Sequence, residues 1–189
     1  KHVPRFLSTA LSDKQFKELI EYARKAGFII EITPFDEPSV ALAEKLGADI
    51  LKIASSSAKD WPLLECIAGT GKPVIASTGG LSIKDIDNLV SFLSHRYVHF
   101  ALMHCVAVYP TPLKKLQLER IGILRKRYPN NVIGYSTHEE PDNFEAILGA
   151  YAKGARIFEK HVGVETDKIK LNAYSAAPAQ VSKWVESYK

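Results

Sequence analysis

Cysteine is scarce in this chain of 189 residues: Cys66 and Cys105 are its only two, and no CxxC spacing joins them. Both read as buried thiols of a reducing compartment, not as a disulfide framework. No apolar run approaches the length needed to cross a bilayer, and no segment reads as a secretory signal, so the cytoplasm is the expected location. No GxGxxG follows the first strand-like run and no Walker loop occurs, which lowers the case for a nucleotide-binding doubly wound sheet. An excess of one charge is also lacking. The 25 Lys and Arg residues face 21 Asp and Glu, for a net charge of +4. The basic residues are dispersed, and Arg125-Lys126-Arg127 reads as a solvated helix face, not a nucleic-acid patch. The mild positive balance suits an anionic small substrate, with neither nucleic acid nor membrane as a partner.

What is present is a strict alternation of strand-like and helix-like segments. Apolar runs at 28–33, 50–54, 73–77, 99–105, 131–136 and 155–161 suit a parallel sheet covered on its outer side. Between them, Phe16, Leu19, Ile20 and Ala23 follow the i, i+3, i+4, i+7 spacing of an amphipathic helix. Ile86, Leu89, Val90 and Leu93 repeat it, as do Phe144, Ile147, Leu148 and Tyr151. Ser12 with Gln15 forms a capping box, and Pro141 suits the first turn of a later helix. Gly27, Gly47, Gly71 and Gly154 fall where left-handed helix C-caps are wanted. The fold class is α/β.

Polar residues collect where the runs end: Thr33, Ser55, Ser77-Thr78, His104, Ser136-His138 and His161. A ring of such strand ends is the mark of a TIM-type (β/α) barrel, whose chemistry sits at the C-terminal ends of its strands. Two histidines stand out. Strand side chains alternate, so Ser136 shares a face with His138, and Glu159 shares one with His161. Two imidazoles at matched strand ends can close on one divalent metal. Only six strands are found, so a closed eight-stranded barrel would need two more.

The stretches ITPFD (Ile32–Asp36), LKIASS (Leu51–Ser56), GKPVIASTGG (Gly71–Gly80), ALMHCVAVYPTP (Ala101–Pro112), VIGYSTHE (Val132–Glu139) and FEKHVGV (Phe158–Val164) together resemble the sialic acid synthase (N-acetylneuraminate synthase) family. That family condenses phosphoenolpyruvate with an N-acyl-mannosamine-type sugar, and its fold is a TIM barrel followed by a small antifreeze-like domain. The resemblance implies that residues 1–189 are a partial barrel lacking the first two strands, with strands three to eight present and the antifreeze-like domain absent. It implies His138 and His161 as ligands of Mn2+ or Mg2+. It implies Thr33, Lys52, Ser55, Ser77 and Tyr109 as the phosphoenolpyruvate site, with Ser136 beside them. Glu159 would orient a ligand or a water, and His104 is either a pocket residue or a core histidine. A homodimer is implied for the full-length protein. The stretch alone, unable to close a barrel, is expected to be inactive.

The family pattern is broken in three places. Where K-I-G-S-G-E is usual, this chain has Lys52-Ile53-Ala54-Ser55-Ser56-Ser57, without the acidic sugar contact. The usual asparagine two residues before the tyrosine is Ala107, and the usual aspartate after the second histidine is Asn172, which the resemblance still implies as a substrate-binding residue. These changes fall largely on the sugar side, which points to altered sugar specificity with the chemistry retained. Two other readings compete. One is a Schiff-base aldolase using Lys52 or Lys160, although Lys160 alternates away from His161 and should point outward. The other is a non-catalytic relative that binds a sugar or a partner protein.

Overall fold

A computed structural model describes residues 7, 10–167 and 169–187. Six strands form one parallel sheet in sequential order: β1 (Glu31–Ile32), β2 (Ile50–Ile53), β3 (Val74–Ser77), β4 (Phe100–His104), β5 (Val132–Thr137) and β6 (Ile157–Lys160). Each expected run overlaps one of them, and only β5 extends past its run, by Thr137. Seven described helices accompany the strands: α1 (Asp13–Lys25), α2 (Glu37–Lys45), α3 (Trp61–Gly69), α4 (Ile83–His95), α5 (Glu119–Arg127), α6 (Glu145–Ala152) and α7 (Pro178–Glu186). The strand order never reverses, so the sheet has no switch point of the doubly wound kind. The sheet curls as part of a (β/α) barrel does.

Local chemistry sets the helix ends. Ser12 and Gln15 form the anticipated capping box of α1, and Ser82 with Asp85 forms another on α4. Asp36 and Asp60 cap α2 and α3 by accepting from the amides of Ser39 and Leu63. Gly27, Gly47, Gly71 and Gly154 all take positive φ just past a helix, as their sequence positions require. Pro141 departs from expectation. It lies in a turn that precedes α6, outside the helix.

Parity along the strands divides the interior into two clusters. Leu51, Ile53, Val74, Ala76, Leu102 and Ile133 face the helices and join the main core with Leu63, Leu64, Ile67, Ile86, Leu89 and Leu93. The alternate residues face the hollow of the sheet, where Ile75, Ala101 and Met103 pack with Ile50 and Ile157. On that inner side the apolar floor gives way to Lys52, Ser77, Ser136 and Glu159 toward the strand C-termini.

Three expectations about burial are corrected. In α1 only Ile20 is buried, while Leu19 is 55% exposed, because β1 is the sheet edge and no described element covers that helix from beyond it. In α6 the buried face is Ala146, Ile147 and Ala150; Phe144 is the N-cap, and Leu148 and Tyr151 are exposed. The helix is rotated relative to the expected stripe, with its small residues against the sheet. Cys66 lies on the solvent side of α3 and is exposed, whereas Cys105 is buried just after β4.

Candidate active site

A cavity of about 630 Å³ opens at the C-terminal ends of the strands. Thr33, Lys52, Ser55, Ser77, Tyr109 and Ser136 all reach its wall, as do His138, Glu159 and His161. Nine of the ten residues singled out from the sequence are thus brought together. The tenth, Asn172, is not on the wall: its Oδ1 accepts from the amide of Tyr174 at 3.1 Å and shapes the loop after β6.

Strand register builds the polar centre. Ser136 on β5 pairs directly with Glu159 on β6, so both side chains project inward side by side. Ser136 Oγ donates to Glu159 Oε1 at 2.8 Å. Lys52 reaches the same oxygen from β2, with Nζ 2.9 Å away. That ion pair spans the hollow of the sheet and joins residues 107 positions apart. Glu159 therefore aims the Lys52 ammonium into the cavity. On the neighbouring wall, Gly79 donates its amide to Ser55 Oγ at 2.9 Å. A Cβ on Gly79 would fall 2.7 Å from Cys105 Sγ and 2.9 Å from that hydroxyl, so only glycine permits the approach. Ser77 Oγ is buried and has no hydrogen-bond partner. A buried hydroxyl left unpaired at a cavity wall is ready to meet a ligand.

The two histidines converge beyond this centre. Their ring centroids lie 5.3 Å apart. Tyr109 packs against His138 at 4.3 Å, and Tyr174 packs against His161 at 5.1 Å. The backbone fixes both ring-bearing residues. The Thr111 amide donates to the His138 carbonyl, and the Ala176 amide donates to that of His161. Burial, and then the neighbouring His161, push His138 down to about 4. Burial lowers His161 too, against the opposing charge of Glu159. Both rings are neutral near pH 7, with lone pairs available. His138 Nδ1 is buried and takes no partner. That orphaned nitrogen beside a second neutral imidazole fits a divalent cation. Among the described residues no three His, Cys, Asp or Glu side chains converge on one such position.

Other sequence expectations are refined. His104 is buried outside the cavity wall, with Nε2 2.8 Å from the Leu116 carbonyl and its ring stacked on Tyr135. It is a core histidine. Lys160 does face away from His161, but it does not reach solvent: its side chain is 4% exposed and bonded to Glu139. A charged wall residue and a ring packed on the histidine pair were missed. Glu31 lines the cavity from β1, and its carboxyl is raised by desolvation and by the charge of Glu159. A lone charge in the apolar run FIIEIT, sharing parity with Thr33, was the available signal. Tyr174, which packs on His161 without lining the cavity, sits in an aperiodic loop and carried none.

A family model matches residues 3–189, that of the NeuB family. The chain belongs to the NeuB family. The resemblance to the sialic acid synthases therefore stands. The N-acetylneuraminate-9-phosphate synthase of Drosophila melanogaster is 33% identical over 79% of this chain and 40% of its own length. A candidate spore coat polysaccharide biosynthesis protein E from Chromobacterium violaceum superposes with a TM-score of 0.96 at 51% identity, covering 99% of this chain and 56% of that one. The N-acetylneuraminic acid synthetase of Leptospira borgpetersenii superposes with a TM-score of 0.87 at 35% identity, covering 94% and 61%. The chain spans about half the length of the curated relatives it matches. No described helix is long and apolar enough to cross a membrane.

Proposed function

We propose that this chain forms the active-site portion of a synthase that joins phosphoenolpyruvate to an N-acyl-mannosamine-like sugar. The product is a sialic-acid-type nonulosonic acid, and phosphate is released. The observation that carries this reading is the placement of an imidazole pair and a carboxylate-held lysine on one cavity wall at the strand C-termini. Family membership supports it.

Lys52 supplies the cation for the phosphate half of phosphoenolpyruvate, already oriented by Glu159. The hydroxyls of Ser77, Ser55, Thr33 and Tyr109 donate to its phosphate and carboxylate oxygens. His138 and His161 would hold Mn2+ or Mg2+, and the bound ion would polarise the sugar's aldehyde oxygen. Side by side in one cavity, the two substrates bring C3 of phosphoenolpyruvate against the aldehyde carbon, which supplies much of the rate. The new C3–C1 bond leaves a cationic C2; water adds there, and phosphate departs with its bridging oxygen by C–O cleavage. Two further strands would close the barrel and contribute the remaining acid and base groups. In a full-length homodimer, an antifreeze-like domain would cap the cavity.

Lys160 is unsuited to Schiff-base chemistry, because it is buried on the opposite face of β6. Lys52 Nζ is held by Glu159 Oε1 at 2.9 Å, an arrangement that suits anion binding more than attack on a carbonyl. The test uses the full-length protein with phosphoenolpyruvate and N-acetylmannosamine. Phosphate release should require both substrates and Mn2+, and should disappear in His138→Ala. Turnover that survives chelation would refute the reading, as would borohydride trapping of pyruvate on a lysine.

A further inference from the structure

Directly behind the histidine pair, on the opposite face of the sheet, lies a buried polar cluster that the proposed chemistry does not use. Thr137 and Lys160 are register partners at the ends of β5 and β6. Lys160 Nζ donates to the backbone carbonyl of Glu139 at 2.8 Å and lies 3.6 Å from its Oε1. Glu139 Oε2 accepts from the hydroxyl of Thr137 and from that of Tyr135, the latter at 3.3 Å. The side chains of Lys160 and Glu139 are 4% and 1% exposed. Neither reaches the cavity wall.

The location is the informative part. Glu139 immediately follows His138, and Lys160 immediately precedes His161. Side chains alternate along extended chain, so a clamp on the outer face at 139 and 160 sets how 138 and 161 project inward. A buried ion pair is weak evidence for stability, because well-packed apolar side chains often replace one at no loss. What such a pair does fix is geometry: each charge must meet its partner in one arrangement. Here that arrangement joins two strand ends by a side-chain bond to a main-chain carbonyl, just where the ladder between β5 and β6 stops.

We propose that the Lys160–Glu139 pair is a positioning device that holds His138 and His161 at the separation needed to share one cation. The proposal rests on the cation-binding reading of the two histidines. Its test compares the full-length wild type with Lys160→Met/Glu139→Leu, with Lys160→Arg and with His138→Ala. Mn2+ affinity is read by calorimetry without substrate, and folding by thermal melting of the metal-free protein. The double variant should melt within a few degrees of wild type and bind Mn2+ about 10- to 100-fold more weakly, the usual effect of losing groups that orient ligands. Lys160→Arg, which keeps the charge and the reach, should restore affinity to within about threefold. A double variant that folds and binds Mn2+ like wild type overturns the proposal. Should the double variant not fold, Glu139→Gln replaces it, judged by the same affinity loss.

Imidazole NMR signals of the metal-free protein give an arm that needs no metal. The His138 and His161 ring resonances should both shift in the double variant and return toward wild type in Lys160→Arg; unmoved resonances overturn the proposal. Failure of the cation reading looks different. Wild type and His138→Ala would then bind Mn2+ alike, and the ring resonances alone would decide whether the clamp positions the pair.

Discussion

Replacing Lys52 with Met tests the anion half of the site. The substitution removes an ammonium that lies 2.9 Å from Glu159 Oε1 and whose side chain is 14% exposed. A hydrogen bond to a charged group contributes about 1.5–3 kcal/mol. Lys52→Met should therefore raise the apparent constant for phosphoenolpyruvate about 10- to 150-fold, since 1.4 kcal/mol is a factor of ten. The constant for the sugar should change by less than about threefold. Stability should fall by no more than about 1 kcal/mol, because Glu159 is 33% exposed and keeps its bond from Ser136. The assay is initial-rate phosphate release with each substrate varied in turn, alongside urea denaturation of the same preparations. Adding Glu159→Gln completes a double-mutant cycle, and a coupling of at least about 0.5 kcal/mol between the two sites is expected. Equal losses for both substrates, or strict additivity in the cycle, would refute the role assigned to Lys52.

Two further predictions concern acid stability and packing. His138 has its value depressed from 6.5 to about 4, so the unfolded chain takes up a proton in that window that the folded protein refuses. The stability of the metal-free protein should therefore be full above pH 6.5 and should be lost as pH falls toward 4, with no more than about 3 kcal/mol from this group. Urea midpoints of wild type and His138→Gln between pH 7 and pH 4.5 check it, and identical acid dependence in both would contradict the shift. Gly134→Ala should destabilise by about 1–3 kcal/mol, the range for overpacking. The added Cβ would collide with Met103 Sδ and sit 2.7 Å from the Ile157 carbonyl; an unchanged denaturation midpoint would count against that packing.

The amino-acid sequence by itself determined the elements and their polarity. Continuous apolar runs mark all six strands, and Ser12, Gln15 and the glycines after the helices mark ends that the structure reproduces. Parity alone placed Ser136 with His138 and Glu159 with His161 on one face, since alternation is a local property of extended chain. Tertiary structure decided what meets across the hollow. Lys52 and Glu159 are 107 residues apart, and only the curl of the sheet brings them to 2.9 Å. The burial of Lys160, the solvent exposure of half of α1 and the seat of Tyr174 against His161 were equally beyond local pattern. Each depends on which neighbour covers a face. Periodicity says that a residue leaves its strand on one side, whereas the packing of distant segments says whether water, a carboxylate or another ring is waiting there.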